Sequence, residues 1–250
     1  MQQYPLAPPP SLDEIRSDGA AALFLDFDGT LVDIAPTHNA IEVPADLSRD
    51  LEYLSSRLEG RLALVSGRSL EDLASHIGEL AIAQAGSHGA DSRLADGSRI
   101  GAEPRTMPLE AVEQLKALVE GDDGPSLEIK THGAAVHYRA RPEIEDEVIA
   151  AASEIAARHG LAVKRGKCVI ELLADTRNKG NAVHSLMAEA PFVGSRPIFI
   201  GDDFTDEDGF AAVKDFGGLG ILVGGSRETL ACYRLESPHE VHRWLGLEIE

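Results

Sequence analysis

Acidic side chains follow two apolar runs that lie far apart in the chain. Asp26 and Asp28 close the run AALFLDFD, and Asp202 and Asp203 close the run RPIFIGDD. Continuous apolar runs of this length predict strands that are buried on both faces of a parallel sheet. Ligands of such sheets bind outside the carboxyl ends of the strands. If the two strands are neighbours, both acidic pairs line one crevice.

Carboxylates that crowd one crevice repel each other unless a cation neutralises them. Oxygen ligands with open coordination positions favour Mg²⁺, which keeps several waters and also takes a phosphate. The ion would turn an acidic crevice into an anion site. This resolves a difficulty of the composition, because a chain with a net charge of −19 otherwise repels an anionic substrate.

The spacing of Asp26 and Asp28 suits two separate roles in catalysis. Residues two apart lie on the same face of an extended strand end, so one carboxylate can attack while the other moves protons. Gly29 permits the sharp turn that brings both carboxylates towards a ligand. The alternative is an acidic junction in which Asp-Gly serves only to form a turn.

The elements that must position these acids alternate between strand and helix. After the first strand we predict a helix at 45–58, a strand at 61–68, a helix at 69–77 and a strand at 80–86. Later we predict a helix at 179–189, a helix at 206–215, a strand at 219–224 that completes the sheet, and a partly helical tail at 228–244. This order is typical of a parallel α/β domain with right-handed crossovers.

The pattern changes after residue 90, where a hairpin is predicted around Asp96-Gly97. It is followed by a predicted helix at 109–120, strands at 127–133 and 134–140, a helix at 143–159, and strands at 161–166 and 167–173. We therefore predict an αββαββ domain at 104–174. It is inserted into a parallel-sheet domain formed by 1–103 and 175–250.

Four motifs in order resemble those of the haloacid dehalogenase (HAD) superfamily of phosphotransferases. DFDGTL resembles the first motif, Ser66 in VSGR the phosphate-binding Ser or Thr, Lys179 in RNKGNA the motif lysine, and GDDFTDED the fourth motif. Together they span residues 21–208. The resemblance implies a Rossmann-like parallel-sheet core with an inserted α/β cap of the C2 type.

The blocks VSGR, GSHG, THGAAVHYR, GKCVIEL, NKGNA and GDDFTDED are similar to those of trehalose-6-phosphate phosphatases. That resemblance implies Mg²⁺-dependent hydrolysis of trehalose 6-phosphate to trehalose and phosphate through an aspartyl-phosphate. Phosphatases of sucrose phosphate or of mannosyl compounds are alternatives within the superfamily. A non-enzymatic phospho-acceptor, similar to a receiver domain, and a regulatory homologue without catalysis are alternatives of another class.

The resemblance also implies roles for individual residues. Asp26 would attack phosphorus, Asp28 would act as general acid and base, and Lys179 would stabilise the transferring group. Mg²⁺ would be held by the Asp26 carboxylate, the Asp28 carbonyl and the Asp202 carboxylate, with Asp203 and Asp206 orienting its waters. Ser66 would hold phosphate oxygens. Further substrate contacts are implied at Phe27, Gly67, Arg68 and His88, and contacts to the sugar at Lys130, Arg139, Lys167 and Glu171.

Several of these residues have an ordinary structural alternative. Ser66 could cap the helix at 69–77, and Asp206 could cap the helix that follows it. Lys179 could be a solvated lysine at a helix start, and Arg68 could lie on the surface. The sugar candidates could belong to a solvated face of a sheet.

Composition limits the remaining classes. Of the 250 residues 43% are apolar and 26% are charged, which is typical of a globular protein. The acidic balance disfavours nucleic-acid binding, and no apolar run approaches the ~20 residues of a membrane helix. The first ten residues do not resemble a secretory signal, and Cys168 and Cys232 make no metal-binding pattern. We expect a cytoplasmic monomer or small oligomer that binds a small sugar phosphate.

Overall fold

The structure, a computed structural model, describes residues 6–34, 41–121, 125–166 and 168–247. The chain divides into two compact units. The larger unit takes the residues up to 102 and from 177 onward, and the inserted unit takes 103–176. The insertion predicted at 104–174 differs from these limits by at most two residues.

The helices and strands can be given in chain order for the described ranges. The helices are α1 (Leu12–Ser17), α2 (Leu47–Arg57), α3 (Leu70–Ile77), α4 (Leu109–Leu118), α5 (Glu145–His159), α6 (Lys179–Met187), α7 (Glu207–Asp215) and α8 (Pro238–Leu245). The strands are β1 (Ala21–Leu25), β2 (Leu62–Val65), β3 (Ala83–Gly86), β4 (Asp91–Arg93), β5 (Arg99–Ile100), β6 (Ser126–Lys130), β7 (Gly133–His137), β8 (Ala162–Gly166), β9 (Val169–Leu173), β10 (Arg196–Gly201), β11 (Leu219–Val223) and β12 (Tyr233–Leu235). No helix in these ranges has the length and apolar content to cross a membrane.

The larger unit is built on a sheet with the strand order β12-β11-β10-β1-β2-β3-β4-β5. Pairing is parallel from β12 to β3 and antiparallel from β3 through β5. The predicted parallel α/β core is therefore confirmed. β1 and β2 are buried along their whole length, which explains why their sequences are apolar without alternation.

Apolar side chains cover both faces of this sheet. On one face Leu25 and Ile200 share a core cluster with Leu51 of α2. On the other face the rings of Phe199 and Phe210 meet edge to face, with their centres 5.7 Å apart. Helices on both faces thus hold β1 and β10 side by side.

The strand order reverses at β1. The chain continues from β1 to β2 and β3 on one side, whereas β10, β11 and β12 lie on the other side. Leu25 pairs with Ile200, and the backbone N–H of Asp26 donates to the Ile200 carbonyl at 2.9 Å. The acids that follow β1 and β10 therefore lie side by side at the same edge of the sheet. This edge is the reversal point where open α/β sheets bind ligands.

The strand β12 was not predicted, because the sequence interpretation ended the sheet at 219–224. Three residues are too few for a periodic signal. β12 forms because β11 offers an open edge, where Leu222 pairs with Arg234. The helical part of the predicted tail is α8. Predicted helix starts at 69 and 206 were one residue early, because Ser69 and Asp206 occupy the positions just before α3 and α7.

The inserted unit has the predicted αββαββ order, and the helix predicted from 143 begins as the 3-10 turn Pro142–Ile144 before α5. Its sheet is antiparallel, with the strand order β6-β7-β9-β8. One face packs on the helices through the side chains of Ala134, Val136, Ile170 and Leu172. The register places charged side chains on the opposite face, namely Glu128, Lys130, Lys164 and Glu171.

Candidate active site

Three carboxylates and one lysine meet at the ends of β1 and β10. Oxygen atoms of Asp26, Asp202 and Asp206 lie within 4.8 Å of one another. Lys179, the first residue of α6, donates from Nζ to Asp26 Oδ1 at 2.7 Å and to Asp206 Oδ1 at 2.6 Å. These four residues are called the acidic centre. The structure thus brings together acids and a lysine that lie up to 180 residues apart in the chain, from Asp26 to Asp206.

The lysine of the acidic centre is not a solvated residue. Only 3% of the Lys179 side chain is exposed. The positive end of a helix dipole disfavours a cation at this position, so the neighbouring carboxylates must outweigh that effect. Asn178 caps α6 by accepting from the N–H of Asn181, which fixes the helix start that carries Lys179.

Two glycines allow the carboxylates of the acidic centre to come close. Gly29 has a φ of +76°, and a Cβ added there would lie 2.2 Å from Asp202 Oδ2. A Cβ added to Gly201 would lie 2.2 Å from the carboxylate carbon of Asp206. A side chain at either position would push an acid out of the centre, so packing requires both glycines, and the positive φ of Gly29 favours glycine there as well.

Burial shapes the electrostatics of the acidic centre. It raises the pKa of Asp26 well above its ordinary value, against the opposing effect of Lys179. Burial, and then the charges of Asp206 and Asp203, raise the pKa of Asp202 to about 6. Burial disfavours the charged form of Lys179, but Asp26 and Asp206 outweigh it and raise the pKa of the lysine. The centre therefore carries more negative charge than its lysine can compensate.

The donor set of the acidic centre fits a hard divalent cation. Asp202 Oδ1 is buried and has no hydrogen-bond partner among the described residues. Buried polar atoms normally have a partner, and carboxylate oxygens are the ligands that Mg²⁺ prefers. A cation here would satisfy this oxygen and relieve the repulsion that raises the pKa of Asp202.

Asp28 is held by an arginine rather than joined to the three clustered carboxylates. Arg68 donates from Nε to Asp28 Oδ2 at 2.6 Å and from Nη2 to Asp28 Oδ1 at 2.7 Å. Its Nη1 donates to Asp72 Oδ2 at 2.7 Å. The Arg68 side chain is only 3% exposed, so the alternative of a surface arginine is wrong. The paired geometry fixes both position and orientation of the Asp28 carboxylate.

Ser66, Gly67 and His88 form a second group at the ends of β2 and β3. Ser66 is fully buried, and its Oγ accepts from the N–H of Arg68 at 3.1 Å. Ser69, not Ser66, caps α3. The N–H of His88 donates to the Ser66 carbonyl at 2.9 Å, and a Cβ on Gly67 would lie 2.7 Å from the imidazole. The substrate candidates of VSGR and GSHG are therefore neighbours.

The structure gives the surroundings of three further candidates. The Phe27 side chain is fully buried in the apolar core, so only its backbone is left to contact a substrate. Asp206 was expected to act through water, but its carboxylate lies within the acidic centre. It occupies the N-cap position of α7 as predicted, but its side chain makes no capping bond there and accepts from the N–H of Asp203 at 2.9 Å instead. The Asp203 carboxylate accepts from the N–H of Phe204 at 2.7 Å.

The sugar candidates of the inserted unit are only partly brought together. Lys130 Nζ lies 3.5 Å from Glu171 Oε1 and 3.7 Å from Glu128 Oε1. Arg139 is exposed and follows β7. Lys167 lies outside the described residues. The half-exposed Lys130 keeps the alternative of a solvated sheet face open.

Sequence reasoning missed three residues that contact the candidates. Asp72 holds Arg68, and the helical spacing of four residues could have revealed this pair. Glu128 contacts Lys130, and the spacing of two residues on β6, which places both on one face of the strand, could have revealed this pair. Arg227 contacts the backbone of Asp202, and it belongs to none of the motifs found in the sequence.

The fold and the site place the chain in a class. A parallel sheet with acids and a lysine at its reversal point, interrupted by an αββαββ unit, is the arrangement of HAD-superfamily phosphatases, and solved members of that superfamily share the fold. Residues 24–239 match the family model described as trehalose-phosphatase. Since this match covers most of the sequence, the chain belongs to the trehalose-phosphatase family.

Individual relatives agree with this assignment. Trehalose-6-phosphate phosphatase of Escherichia coli (strain K12) is 36% identical over 228 residues, which cover 90% of this chain and 85% of that protein. A probable trehalose-phosphate phosphatase of Sinorhizobium fredii (strain NBRC 101917 / NGR234) is 39% identical over 206 residues, covering 81% and 77%. The C-terminal domain of C. albicans trehalose-6-phosphate phosphatase shares the fold, with a TM-score of 0.72 at 22% identity over 98% of this chain and 100% of that one.

Proposed function

We propose that this protein hydrolyses trehalose 6-phosphate to trehalose and phosphate in a Mg²⁺-dependent reaction. The observation that carries the proposal is the buried contact of Asp26 with Lys179, beside Asp202 and Asp206 at the reversal point of the sheet. Membership of the trehalose-phosphatase family supports the choice of substrate. Two free cysteines agree with the proposed cytoplasmic location.

The residues that would hold Mg²⁺ are the carboxylates of Asp26 and Asp202 and the backbone carbonyl of Asp28. Asp206 shares the acidic centre and would orient a water on the ion or bind it directly. When bound, the ion supplies positive charge that shields the repulsion between the Asp26 carboxylate and the phosphate. Lys179 adds a fixed positive charge on the same carboxylate.

Asp26 is the proposed nucleophile. One of its oxygens forms a bond to phosphorus while the bond from phosphorus to the sugar oxygen breaks, which gives an aspartyl-phosphate. Once Asp28 has left its ion pair with Arg68 and carries a proton, it donates that proton to the departing sugar oxygen. It then takes a proton from the water that attacks phosphorus, which releases phosphate and restores Asp26. Ser66 and nearby backbone N–H groups hold the phosphate oxygens.

The test of this function is phosphate release from purified protein, with Mg²⁺ and with excess EDTA. Rapid release from trehalose 6-phosphate that stops in EDTA is the expected result. Faster release from sucrose 6-phosphate or a mannosyl phosphate would change the assigned substrate but support the same reaction. No release from any of these compounds would favour a phospho-acceptor or a regulatory homologue.

Substitutions on the charged face of the inserted sheet are expected to affect substrate affinity. Lys130→Met and Glu171→Gln should each raise KM for trehalose 6-phosphate by about 10-fold and change kcat little, because a lost charged hydrogen bond to a sugar hydroxyl weakens the ground state and the transition state alike. Steady-state kinetics measure both constants. Lys116→Met, at an exposed position of α4, is the matched control. An unchanged KM in both variants would assign Lys130 and Glu171 to a solvated face.

The stabilisation by Mg²⁺ is expected to grow between pH 5 and pH 8. In metal-free protein the pKa of Asp202 is raised to about 6. A carboxyl whose pKa is raised by folding stabilises the folded state. This contribution is complete when the pH is below the ordinary pKa of the carboxyl, and it is lost as the pH rises through about 6. Mg²⁺ binds the ionised form, so its effect increases over the same range.

Melting temperatures in EDTA and in saturating Mg²⁺ at each pH measure this effect. KCl at the same ionic strength separates specific binding from screening. An increment in melting temperature that stays constant from pH 5 to pH 8 would contradict the assignment of Asp202 as a ligand.

A further inference from the structure

An arginine on the loop after β11 contacts the segment that follows β10. Arg227 Nη2 donates to the carbonyl of Asp203 at 2.7 Å and to the carbonyl of Asp202 at 3.4 Å. Its guanidinium carbon lies 4.8 Å from the centre of the Phe204 ring. Its Nη1 forms an ion pair with Glu207, the first residue of α7. One side chain therefore contacts both ends of the turn that carries the acids.

Glu207 ties the same loop to α7 by further contacts. Its Oε1 accepts from the hydroxyl of Thr229 and its Oε2 from the N–H of Leu230, both at 2.7 Å. The side chains of Arg227 and Glu207 are only 17% and 22% exposed. Charge-assisted hydrogen bonds that are partly shielded from water hold their geometry better than exposed ones. The loop at 227–230 is therefore fastened to the segment at 202–207.

The carboxylate of Asp202 depends on its backbone for its position. Its buried Oδ1 has no hydrogen-bond partner in the described part of the chain. Its carboxylate lies in a cluster with those of Asp26 and Asp206, in which one oxygen of each residue lies within 4.8 Å of the others. Its carboxylate also packs directly on Gly29, where a Cβ would lie 2.2 Å from Oδ2. A small shift of the backbone at 202 would therefore move this ligand away from Asp26.

We propose that Arg227 is a positioning residue of the metal site. By holding the carbonyls of Asp202 and Asp203, it keeps the end of β10 in place against the repulsion among the acids. Asp202 then meets the ion together with Asp26. Arg227 does not contact the proposed reacting atoms, and the inference rests on the proposed magnesium site.

Binding of Mg²⁺ alone tests this inference. Metal-free protein is titrated with Mg²⁺ by isothermal calorimetry, without any sugar phosphate. Arg227→Met keeps the apolar stem but removes every donor, and it should raise the Kd for Mg²⁺ by about 10- to 100-fold, the usual effect of losing an outer contact of a metal site. The activity of this variant should recover largely when Mg²⁺ is raised to saturation. Arg158→Met, which removes the exposed ion pair with Glu154 on α5, should bind Mg²⁺ like the wild type.

A purely structural role of Arg227 gives a different result. Arg227→Met would then have a lower melting temperature in EDTA but the wild-type Kd for Mg²⁺, and this would overturn the inference. If Arg227→Met does not fold, Arg227→Lys replaces it, because a lysine cannot reach two carbonyls and Glu207 together. A folded lysine variant with the wild-type Kd would equally overturn it. The titration contains no substrate, so a wrong assignment of trehalose 6-phosphate as substrate would not affect the measured Kd for Mg²⁺. Wild-type protein that binds no Mg²⁺ would overturn both the proposed magnesium site and the inference.

Discussion

Asp26→Asn is expected to abolish turnover while the protein remains folded. The amide cannot form the bond to phosphorus, so kcat should fall by roughly 10⁴-fold or more. The fold should survive, because Lys179 keeps its contact with Asp206 and one of three mutually repelling carboxylates is gone. Phosphate release and the melting temperature in EDTA are the two measurements, and the melting temperature should not fall below that of the wild type.

A matched variant tests whether the loss of turnover is specific to Asp26. Asp146→Asn makes the same change on an exposed first turn of α5, and it should leave both measurements unchanged. Retained turnover of Asp26→Asn with the wild-type dependence on Mg²⁺ would remove Asp26 as nucleophile.

Lys179→Met is expected to have the largest effect on stability. It removes the cation of the acidic centre and leaves buried Asp26 and Asp206 without it. Breaking a buried ion pair on one side destabilises a protein by about 3–5 kcal/mol. Loss of the charge beside the transferring group should also lower kcat by roughly 10²- to 10³-fold. Denaturant unfolding and steady-state kinetics measure the two effects.

Adding Mg²⁺ tests whether repulsion among the acids causes the lower stability of Lys179→Met. If repulsion among the acids is responsible, Mg²⁺ should restore part of the lost free energy of unfolding without restoring kcat. Lys214→Met, in the last turn of α7 on the surface, is the control and should cost less than about 1 kcal/mol. A Lys179→Met variant as stable and as active as the control would refute the central role of this lysine.

The core of the fold could be predicted because its strands are buried on both faces. AALFL and PIFIG are apolar without interruption, and an aspartate follows each at the edge where ligands bind. Neighbouring strands then bring Asp26 and Asp202 together without any further information. The inserted αββαββ unit could be predicted because its elements have ordinary lengths and turn residues between them.

Contacts between side chains far apart in the chain could not be predicted in the same way. Arg68 lies in a recognisable motif, yet its partner Asp28 is 40 residues away, and only the pairing of β1 with β2 makes them neighbours. Arg227 lies in an irregular loop with no periodic signal. The sequence interpretation also did not anticipate the burial of the Phe27 side chain. Adjacent residues at a strand end point to opposite sides, so the residue between two functional acids faces the core.

The central claim is that this site hydrolyses trehalose 6-phosphate in preference to other sugar phosphates. The most direct measurement is competition in one tube. Equal concentrations of trehalose 6-phosphate, sucrose 6-phosphate and glucose 6-phosphate are mixed with enzyme and Mg²⁺, and each is followed by phosphorus NMR, so that relative values of kcat/KM are obtained directly. We predict that trehalose 6-phosphate disappears first and that Asp26→Asn leaves all three intact. Earlier loss of another compound, or no loss of any, would contradict the claim.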